Sequence, residues 1–405
     1  MASLHPFRAL RPTPERAADV SSVPYDVVST DEARQLAAQN PLSFLRVTRS
    51  EIDLPPGADP YAAEVYARAR TNFDRLGQDA PLVVEDAPSL YFYRLRMGEH
   101  EQTGIAGCFS VDEYEHDVIK KHERTRRDKE DDRTRHIVEL RAQTGVVFLT
   151  YKAEPGVDAI ETRVTSGEPL FDFTAADGVR HTIWRAGSDD IVALRTAFAA
   201  IPALYIADGH HRAASAARAR AELKAQGDAT EADSFIAVAF PDNQMQVLPY
   251  NRTVKDLAGL SPQGFLDRLR EVVEVSAAEP TPSRKGQVSM YLDGSWYGFD
   301  LGALAPEDDS RASSLDVARL QRHVLEGILQ IGDIRSDKRI DFIGGARGTA
   351  ALERVVDAGT AAVAFSMFPV TLDDLMVISD AGGIMPPKST WFEPKLRDGL
   401  LIHTI

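Results

Sequence analysis

The stretch YIADGHHRAASAAR at residues 205–218 constrains the fold more than any other part of the chain. Its apolar start predicts a buried strand, Gly209 permits a tight turn, and the alanine-rich segment predicts a helix ending near Gly227. The first N–H groups of such a helix have no intrahelical partner and carry the positive end of the helix dipole. The sequence therefore predicts a strand, a turn and a helix whose start is a seat for an anion, with phosphate as the usual ligand.

The side chains of this junction have complementary chemistry. Asp208 can cap the helix or hold Mg²⁺, Gly209 allows close backbone approach, and Arg212 offers a guanidinium that matches phosphate oxygens. We expect Arg212 and one of His210 and His211 to neutralise negative charge that develops during a reaction. The alternative is a helix-capping aspartate followed by two ordinary surface histidines.

A second candidate is KKHERT at residues 120–125, which places one carboxylate among several cations. Neighbouring cations keep a carboxylate ionised, so Glu123 can act as a general base toward a substrate hydroxyl. The alternative is a solvated, charged helix stabilised by ion pairs between successive turns. The highly charged segment after Thr125 predicts a polar helix preceded by a loop.

A third, weaker signal is the tail IMPPKSTWFEPK, which contains Lys388, Ser389 and Thr390. The glycine pair Gly382-Gly383 directly precedes this tail. The group contains phosphate-binding residue types but lacks the spacing of the G-x-x-x-x-G-K-[ST] loop. Because prolines surround it, a rigid lid or a docked tail is the alternative interpretation.

Composition excludes several classes of function. The net charge of −15 disfavours general attraction to nucleic acid or to an anionic membrane. Cys108 is the only cysteine, which excludes an intrachain disulfide and a zinc site made of several thiolates. The first twenty residues lack a signal-peptide core and no apolar run is long enough to span a membrane. We therefore expect a cytoplasmic protein with no nucleic-acid or membrane partner.

The order of predicted elements indicates a mixed α/β (α+β) protein. Eight prolines within residues 1–60 predict an arm of short pieces wrapped on a core, and residues 60–77 predict a helix that stops at Gly77. The segments FIAVAF and QMQVLPYN resemble a pair of strands. We expect three parts: an N-terminal arm and helix (1–88), a catalytic core (89–254) and a C-terminal α/β region (255–405) whose MPPKST tail packs back on the core.

The phrases VPYDVV, NPLSFLRV, KKHERT, YIADGHHRAA, LPYNRTV and IMPPKSTWFEPKLRDGL occur in that order from residue 23 to the C-terminal end. Together they resemble DUF1015, a widespread bacterial family of unknown function, along nearly the whole chain. The family resemblance is specific but implies no chemistry.

The HE and DGHHR elements also resemble those of the free serine kinases that share the ParB/sulfiredoxin fold. This resemblance covers about a third of the chain. It implies a ParB/sulfiredoxin-like core in which Glu123 is the base and residues 208–212 receive nucleotide phosphates. Sulfinate repair is disfavoured because histidines stand where sulfiredoxin needs its cysteine. ParB-like DNA binding is also disfavoured, because no basic helix-turn-helix segment follows and the chain is acidic.

We therefore expect a small-molecule kinase that uses ATP or ADP with Mg²⁺ to convert free L-serine to O-phospho-L-serine. Its catalytic residues would be Glu123, Asp208, His210 and His211, with substrate contacts from His122, Thr125 and Asn251. The alternatives are a nucleotide- or phosphate-binding protein without catalysis, and a phosphatase that acts on a phosphorylated metabolite. The oligomeric state stays open, with a homodimer among the expected forms.

Overall fold

Short apolar segments separated by Gly, Pro and charged turns form strands along most of the chain. The structure, a computed structural model, describes residues 2–79, 82–227 and 231–405. Within these residues the strands are β1 (Leu10–Pro12), β2 (Leu82–Val84), β3 (Tyr91–Met97), β4 (His100–Ser110), β5 (Ile119–Lys120), β6 (Ala142–Gln143), β7 (Val147–Tyr151), β8 (Phe171–Thr174), β9 (Arg180–Arg185), β10 (Leu204–Asp208), β11 (Ser234–Pro241), β12 (Gln246–Leu248), β13 (Tyr250–Val254), β14 (Val275–Ala277), β15 (Gln287–Leu292), β16 (Ser295–Asp300), β17 (Ile340–Gly344), β18 (Val363–Met367), β19 (Trp391–Glu393) and β20 (His403–Thr404).

Helices alternate with these strands, which confirms the predicted mixed α/β class. They are α1 (Ala17–Val20), α2 (Thr30–Ala37), α3 (Leu45–Thr48), α4 (Ala63–Asp79), α5 (Val111–Glu115), α6 (Arg127–Leu140), α7 (Pro155–Thr165), α8 (Ser188–Phe198), α9 (His210–Ala225), α10 (Pro262–Arg270), α11 (Asp316–Leu320), α12 (Ala350–Asp357) and α13 (Leu372–Asp380). In the described part of the chain, none of the helices combines the length and apolar character needed to cross a bilayer.

The chain divides into two compact units. The first comprises the residues up to Met245 together with Pro394–Ile405, and the second is the continuous segment Gln246–Glu393. The N-terminal arm belongs to the first unit, where its backbone pairs with other segments, for example His5 with Cys108 and Leu10 with Ile402. The three-part division into 1–88, 89–254 and 255–405 stays a prediction.

The first unit contains an eight-stranded mixed sheet, in the order β5-β10-β7-β11-β4-β3-β9-β8. β5 runs parallel to β10, and β7 runs parallel to β11, while the other neighbours are antiparallel. Ile206 of β10 and Ala213 and Ala216 of α9 are buried in the main apolar core beside this sheet. Burial of a side chain as large as Ile206 contributes about 1.5–3 kcal/mol, and each buried alanine contributes less, so the strand and helix of the YIADGHHR element are both anchored in this core.

The second unit has its own six-stranded sheet, in the order β14-β16-β15-β18-β13-β17. A separate two-stranded ladder joins β12 to β19, in which Gln246 faces Glu393 and Leu248 faces Trp391. The chain therefore enters and leaves this unit at neighbouring positions.

Two local predictions are wrong. FIAVAF lies in β11, which pairs with β4 and β7, whereas QMQVLPYN contributes β12 and β13, which pair in the second unit. Helix α4 also continues through Gly77 to Asp79. A single interior glycine costs about 1 kcal/mol, which the buried face of this helix (Val65, Tyr66, Ala69, Phe73 and Leu76) offsets.

Candidate functional site

The turn between β10 and α9 requires a glycine. Gly209 has a φ of +94°, in the left-handed region. A Cβ atom there would also lie 3.2 Å from Nη1 of Arg212. The Gly209 carbonyl accepts the first helical hydrogen bond from the N–H of Ala213 at 3.0 Å. The N–H groups of residues 210–212 therefore lie at the helix start, as the sequence predicts.

Parallel strand pairing brings the second candidate segment to this turn. Ile119 and Lys120 of β5 pair with Leu204 and Tyr205 of β10. The carboxyl ends of parallel strands lie at the same edge of a sheet. The loop of residues 122–126 that follows β5, here called the Glu123 loop, therefore lies beside the turn that follows β10.

Two backbone hydrogen bonds join the Glu123 loop to the start of α9. The N–H of His122 donates to Nε2 of His210 at 3.4 Å, and the N–H of Arg126 donates to Nε2 of His211 at 3.0 Å. The rings of His122 and His210 meet edge to face with their centroids 4.4 Å apart. Glu123, which is half-buried, lies between these two attachment points.

The same hydrogen bonds fix the protonation of the histidines. A backbone N–H only donates, so each accepting Nε2 carries no proton and both rings of the HH pair are neutral. Burial lowers the pKa of His122 to about 4. Burial, reinforced by His122, holds the pKa of His210 well below its usual range. In this arrangement neither His210 nor His211 carries the positive charge that the sequence analysis assigned to one of them.

Asp208 is the anionic member of the junction. Nζ of Lys395 donates to its Oδ2 at 3.0 Å, and Nη2 of Arg212 lies 3.9 Å from the same oxygen. Burial raises the pKa of Asp208, but the charges of Lys395 and Arg212 outweigh this effect and hold that pKa well below its usual range. The carboxylate is therefore ionised and paired.

Arg212 faces the interior of the first unit. Its side chain is only 6% exposed; Nη1 donates to the carbonyl of Val146 at 2.5 Å, and Nη2 donates to the two carboxylate oxygens of Asp26 at 3.2 and 3.1 Å. Burial lowers the pKa of Arg212, but Asp26 and Asp208 outweigh it, so the pKa lies above its usual range. The guanidinium that was expected to bind phosphate is thus engaged with Asp26, and it connects the N-terminal arm to the turn.

The predicted substrate contacts of the Glu123 loop are partly enclosed. His122 is buried, and the hydroxyl of Thr125 donates to the carboxylate of Glu130 in α6. These roles stay predictions.

The other predicted site residues lie in the second unit. Lys388 has a φ of +59°, and its Nζ lies 5.5 Å from the ring centroid of Tyr250. The hydroxyl of Ser389 donates to the Pro386 carbonyl at 2.6 Å, and Thr390 is half-buried. The phosphate-binding role of these three residues stays a prediction.

Asn251 is buried in β13, and its Oδ1 accepts the N–H of Met367 at 3.0 Å. This bond ties the amide oxygen to the sheet backbone. The substrate contact expected of Asn251 stays a prediction.

Three residues of the junction were missed by the sequence analysis. Asp26 lies in VPYDVV, and Lys395 and Asp398 lie in FEPKLRDG. Both segments carry the family resemblance, and that resemblance was the one signal in the sequence that could have pointed to these residues. Asp398 exchanges backbone hydrogen bonds with Ser22, and burial raises the pKa of its carboxyl to about 7, although Arg212 opposes the shift.

The expected Mg²⁺ site does not fit as one held by the protein alone. Among residues 2–79, 82–227 and 231–405, no group of three or more His, Cys, Asp or Glu residues could hold a metal ion. The Asp208 carboxylate, which was expected to bind Mg²⁺, is already paired with the ammonium group of Lys395.

Solved structures similar to this chain share little sequence with it. A free serine kinase in complex with AMP is 14% identical, with a TM-score of 0.36 and a match covering 73% of this chain and 91% of that one. A conserved hypothetical protein from Pyrococcus furiosus is 14% identical, with a TM-score of 0.35 over 73% of this chain and 94% of that one. C-terminally truncated SbnI from Staphylococcus aureus is 12% identical, with a TM-score of 0.39 over 74% of this chain and 87% of that one. At these values the likenesses assign no chemistry, and the ParB/sulfiredoxin-like core stays a prediction.

No curated protein matches the chain. The model of a family described as "Protein of unknown function (DUF1015)" matches residues 4–318. Since this match spans more than half of the 405 residues, the chain belongs to the DUF1015 family.

Proposed function

We propose that the protein transfers a phosphoryl group from a nucleotide, ATP or ADP, to the hydroxyl of a small metabolite, with free L-serine as the acceptor. One observation carries the proposal: the Glu123 loop and the start of α9 lie at the same sheet edge and are joined by the bonds to His210 and His211. The loop that carries the Glu123 carboxylate therefore lies beside a helix start of the kind that attracts phosphate, which supports the proposal.

The proposed reaction follows from this placement. The N–H groups after Gly209 bind phosphate oxygens, and the neutral histidines support the Glu123 loop. As the acceptor oxygen forms its bond to phosphorus, the bond from phosphorus to the bridging oxygen breaks and its electron pair leaves with the nucleotide. Glu123 takes the proton of the acceptor hydroxyl. Mg²⁺ would travel with the nucleotide, bound by phosphate oxygens and water, and would neutralise part of the phosphate charge.

Phosphorus NMR tests the activity directly. The purified protein is incubated with Mg²⁺, ATP or ADP, and a panel of hydroxyl amino acids that includes L-serine. We expect a new phosphomonoester signal only in the presence of one acceptor and one nucleotide. Nucleotide binding without any new signal would indicate a binding protein, and nucleotide-independent release of phosphate from a phosphomonoester would indicate a phosphatase.

Glu123→Gln tests the role of the base. Because the amide cannot accept the proton, we expect turnover to fall by roughly 10²- to 10⁴-fold while nucleotide affinity is unchanged. Glu139→Gln, which alters an exposed glutamate of α6, is the matched control and should leave turnover unchanged. Unchanged turnover in Glu123→Gln would remove the general base from the mechanism.

A further inference from the structure

The C-terminal segment returns to the first unit and brings a lysine to the turn. Backbone hydrogen bonds fix this segment, since Asp398 pairs with Ser22 and Ile402 pairs with Leu10. Its first residues place Nζ of Lys395 3.0 Å from Oδ2 of Asp208, the residue directly before Gly209. The side chain of Lys395 keeps 15% of its surface exposed and that of Asp208 keeps 26%. The pair is therefore largely enclosed but still reached by solvent.

Phosphoryl transfer needs positive charge beside the phosphate, and the other cations expected there do not supply it. The Nε2 atoms of His210 and His211 accept hydrogen bonds, so both rings are neutral. Arg212 is 6% exposed and is bonded to Asp26 and to the Val146 carbonyl. Lys395 is, by contrast, a cation that the structure holds at the partly exposed edge of the turn.

We propose that Lys395 contacts the terminal phosphate of the donor nucleotide and that Asp208 holds its ammonium group in position. This inference rests on the proposed function and adds a residue to it. An ammonium group has three N–H donors on a flexible stem, so it can bridge a carboxylate and a phosphate oxygen at the same time. Asp208 then serves as a positioning residue and is not a metal ligand.

Binding measurements on the full-length protein test the contact. Isothermal titration calorimetry compares AMP, ADP and ATP on the unchanged protein and on Lys395→Met. A charge-assisted hydrogen bond to the terminal phosphate corresponds to a loss of affinity of about tenfold or more. We expect that loss for the donor nucleotide, with AMP affinity little changed. Lys152→Met, which breaks the pair between the exposed Lys152 and the half-buried Asp242 in the same unit, is the matched control and should change neither affinity.

A double variant separates contact from simple charge balance. Lys395→Met removes the nearer cation from Asp208 and leaves only Arg212 at 3.9 Å, so the carboxylate repels phosphate more strongly and would weaken binding even without a direct contact. In Lys395→Met with Asp208→Asn both charges are gone, so restored affinity would overturn the proposal, whereas persistent weakness supports it. Lys395→Arg keeps the charge and should recover part of the affinity.

The outcomes also distinguish this inference from the proposed function. If the unchanged protein phosphorylates an acceptor and Lys395→Met binds the donor equally well, only the contact by Lys395 is wrong. If the unchanged protein binds no nucleotide, the proposed function fails and the contact fails with it. Urea unfolding of each variant identifies any that is misfolded. If Lys395→Met is misfolded, the affinity of the Lys395→Met, Asp208→Asn variant is compared with that of the unchanged protein instead.

Discussion

Arg212 links the turn to the N-terminal arm. Its guanidinium donates to Asp26 in the arm and to Val146 just before β7, and lies near Asp208 at the end of β10. A buried guanidinium is tolerated only when its charge is balanced, because an unpaired charge in the interior costs several kcal/mol. Arg212 of the DGHHR element therefore has a structural role at the turn.

Removing the partner of Arg212 should destabilise the first unit. We expect Asp26→Asn to lower the free energy of unfolding by about 1–2 kcal/mol, since the carboxylate is partly exposed and water replaces some of the lost interaction. Asp31→Asn is the matched control, because Asp31 is paired with Arg34 on an exposed helix face. Urea unfolding monitored by circular dichroism gives both values, and equal stability losses would contradict the special role of the Arg212 pair.

Buried histidines should make the protein sensitive to mild acid. Burial lowers the pKa values of His122, His136 and His403 to about 4 each. Their ordinary pKa is about 6.5, so the unfolded chain binds more protons between these values and stability falls as the pH drops from about 6.5 to 4. Asp398 acts in the opposite direction, because its pKa is raised to about 7 and its ionisation is unfavourable to folding. The three histidines together outweigh Asp398, so the urea midpoint should be lower at pH 5 than at pH 7. A higher midpoint at pH 5 would contradict this prediction.

At the scale of elements, the left-handed turn before α9 is the most sensitive junction. Gly209→Ala should destabilise the protein by about 1–2 kcal/mol and weaken nucleotide binding, because a Cβ there would press on Arg212 and move the first N–H groups of the helix. Gly178→Ala is the matched control: φ is +82° and no atom lies within 4 Å of the added Cβ. We expect a similar backbone cost there with unchanged binding. Calorimetric titration measures nucleotide affinity and urea unfolding measures stability for both variants. Equal nucleotide affinity in the two would argue against phosphate binding at the start of α9.

Local signals were enough to predict this turn, its strand and its helix. The strand depends on apolar residues, the turn on Gly209 and the helix on an alanine-rich segment, and all three lie within one stretch of about twenty residues. The pairing of β11 with β4 and β7 could not be predicted in that way, since a buried apolar strand fits many neighbours and its partners depend on the whole sheet. Lys395 was missed for the same reason: 187 residues separate it from Asp208, and only tertiary structure brings them together.

At the scale of the whole molecule, the second unit is an insertion between Met245 and Pro394. Its first and last residues, Gln246 and Glu393, face each other in the β12–β19 ladder, and facing residues in antiparallel strands lie about 5 Å apart. The insertion therefore needs no long connection, and the C-terminal segment resumes close to where the first unit was interrupted.

Removing the insertion should leave the first unit folded. In the shortened chain, a short Gly-Ser linker joins Met245 to Pro394. We expect this chain to unfold cooperatively in urea, as monitored by circular dichroism. A second chain that also lacks Pro394–Ile405 is the control, and it should lose stability because the backbone bonds of Ile402 and Asp398 disappear. A first chain without a cooperative transition would show that the first unit depends on the second.

β5 lies at the margin of the sheet and is easier to displace than β10. β5 pairs only through Ile119 and Lys120, whereas β10 lies between β5 and β7. Peeling β5 away breaks few backbone hydrogen bonds, but displacing β10 would disrupt the sheet. If the proposed function holds, room for a ligand would come from displacement of the Glu123 loop, which breaks its bonds to His210 and His211, while the helix start stays in place.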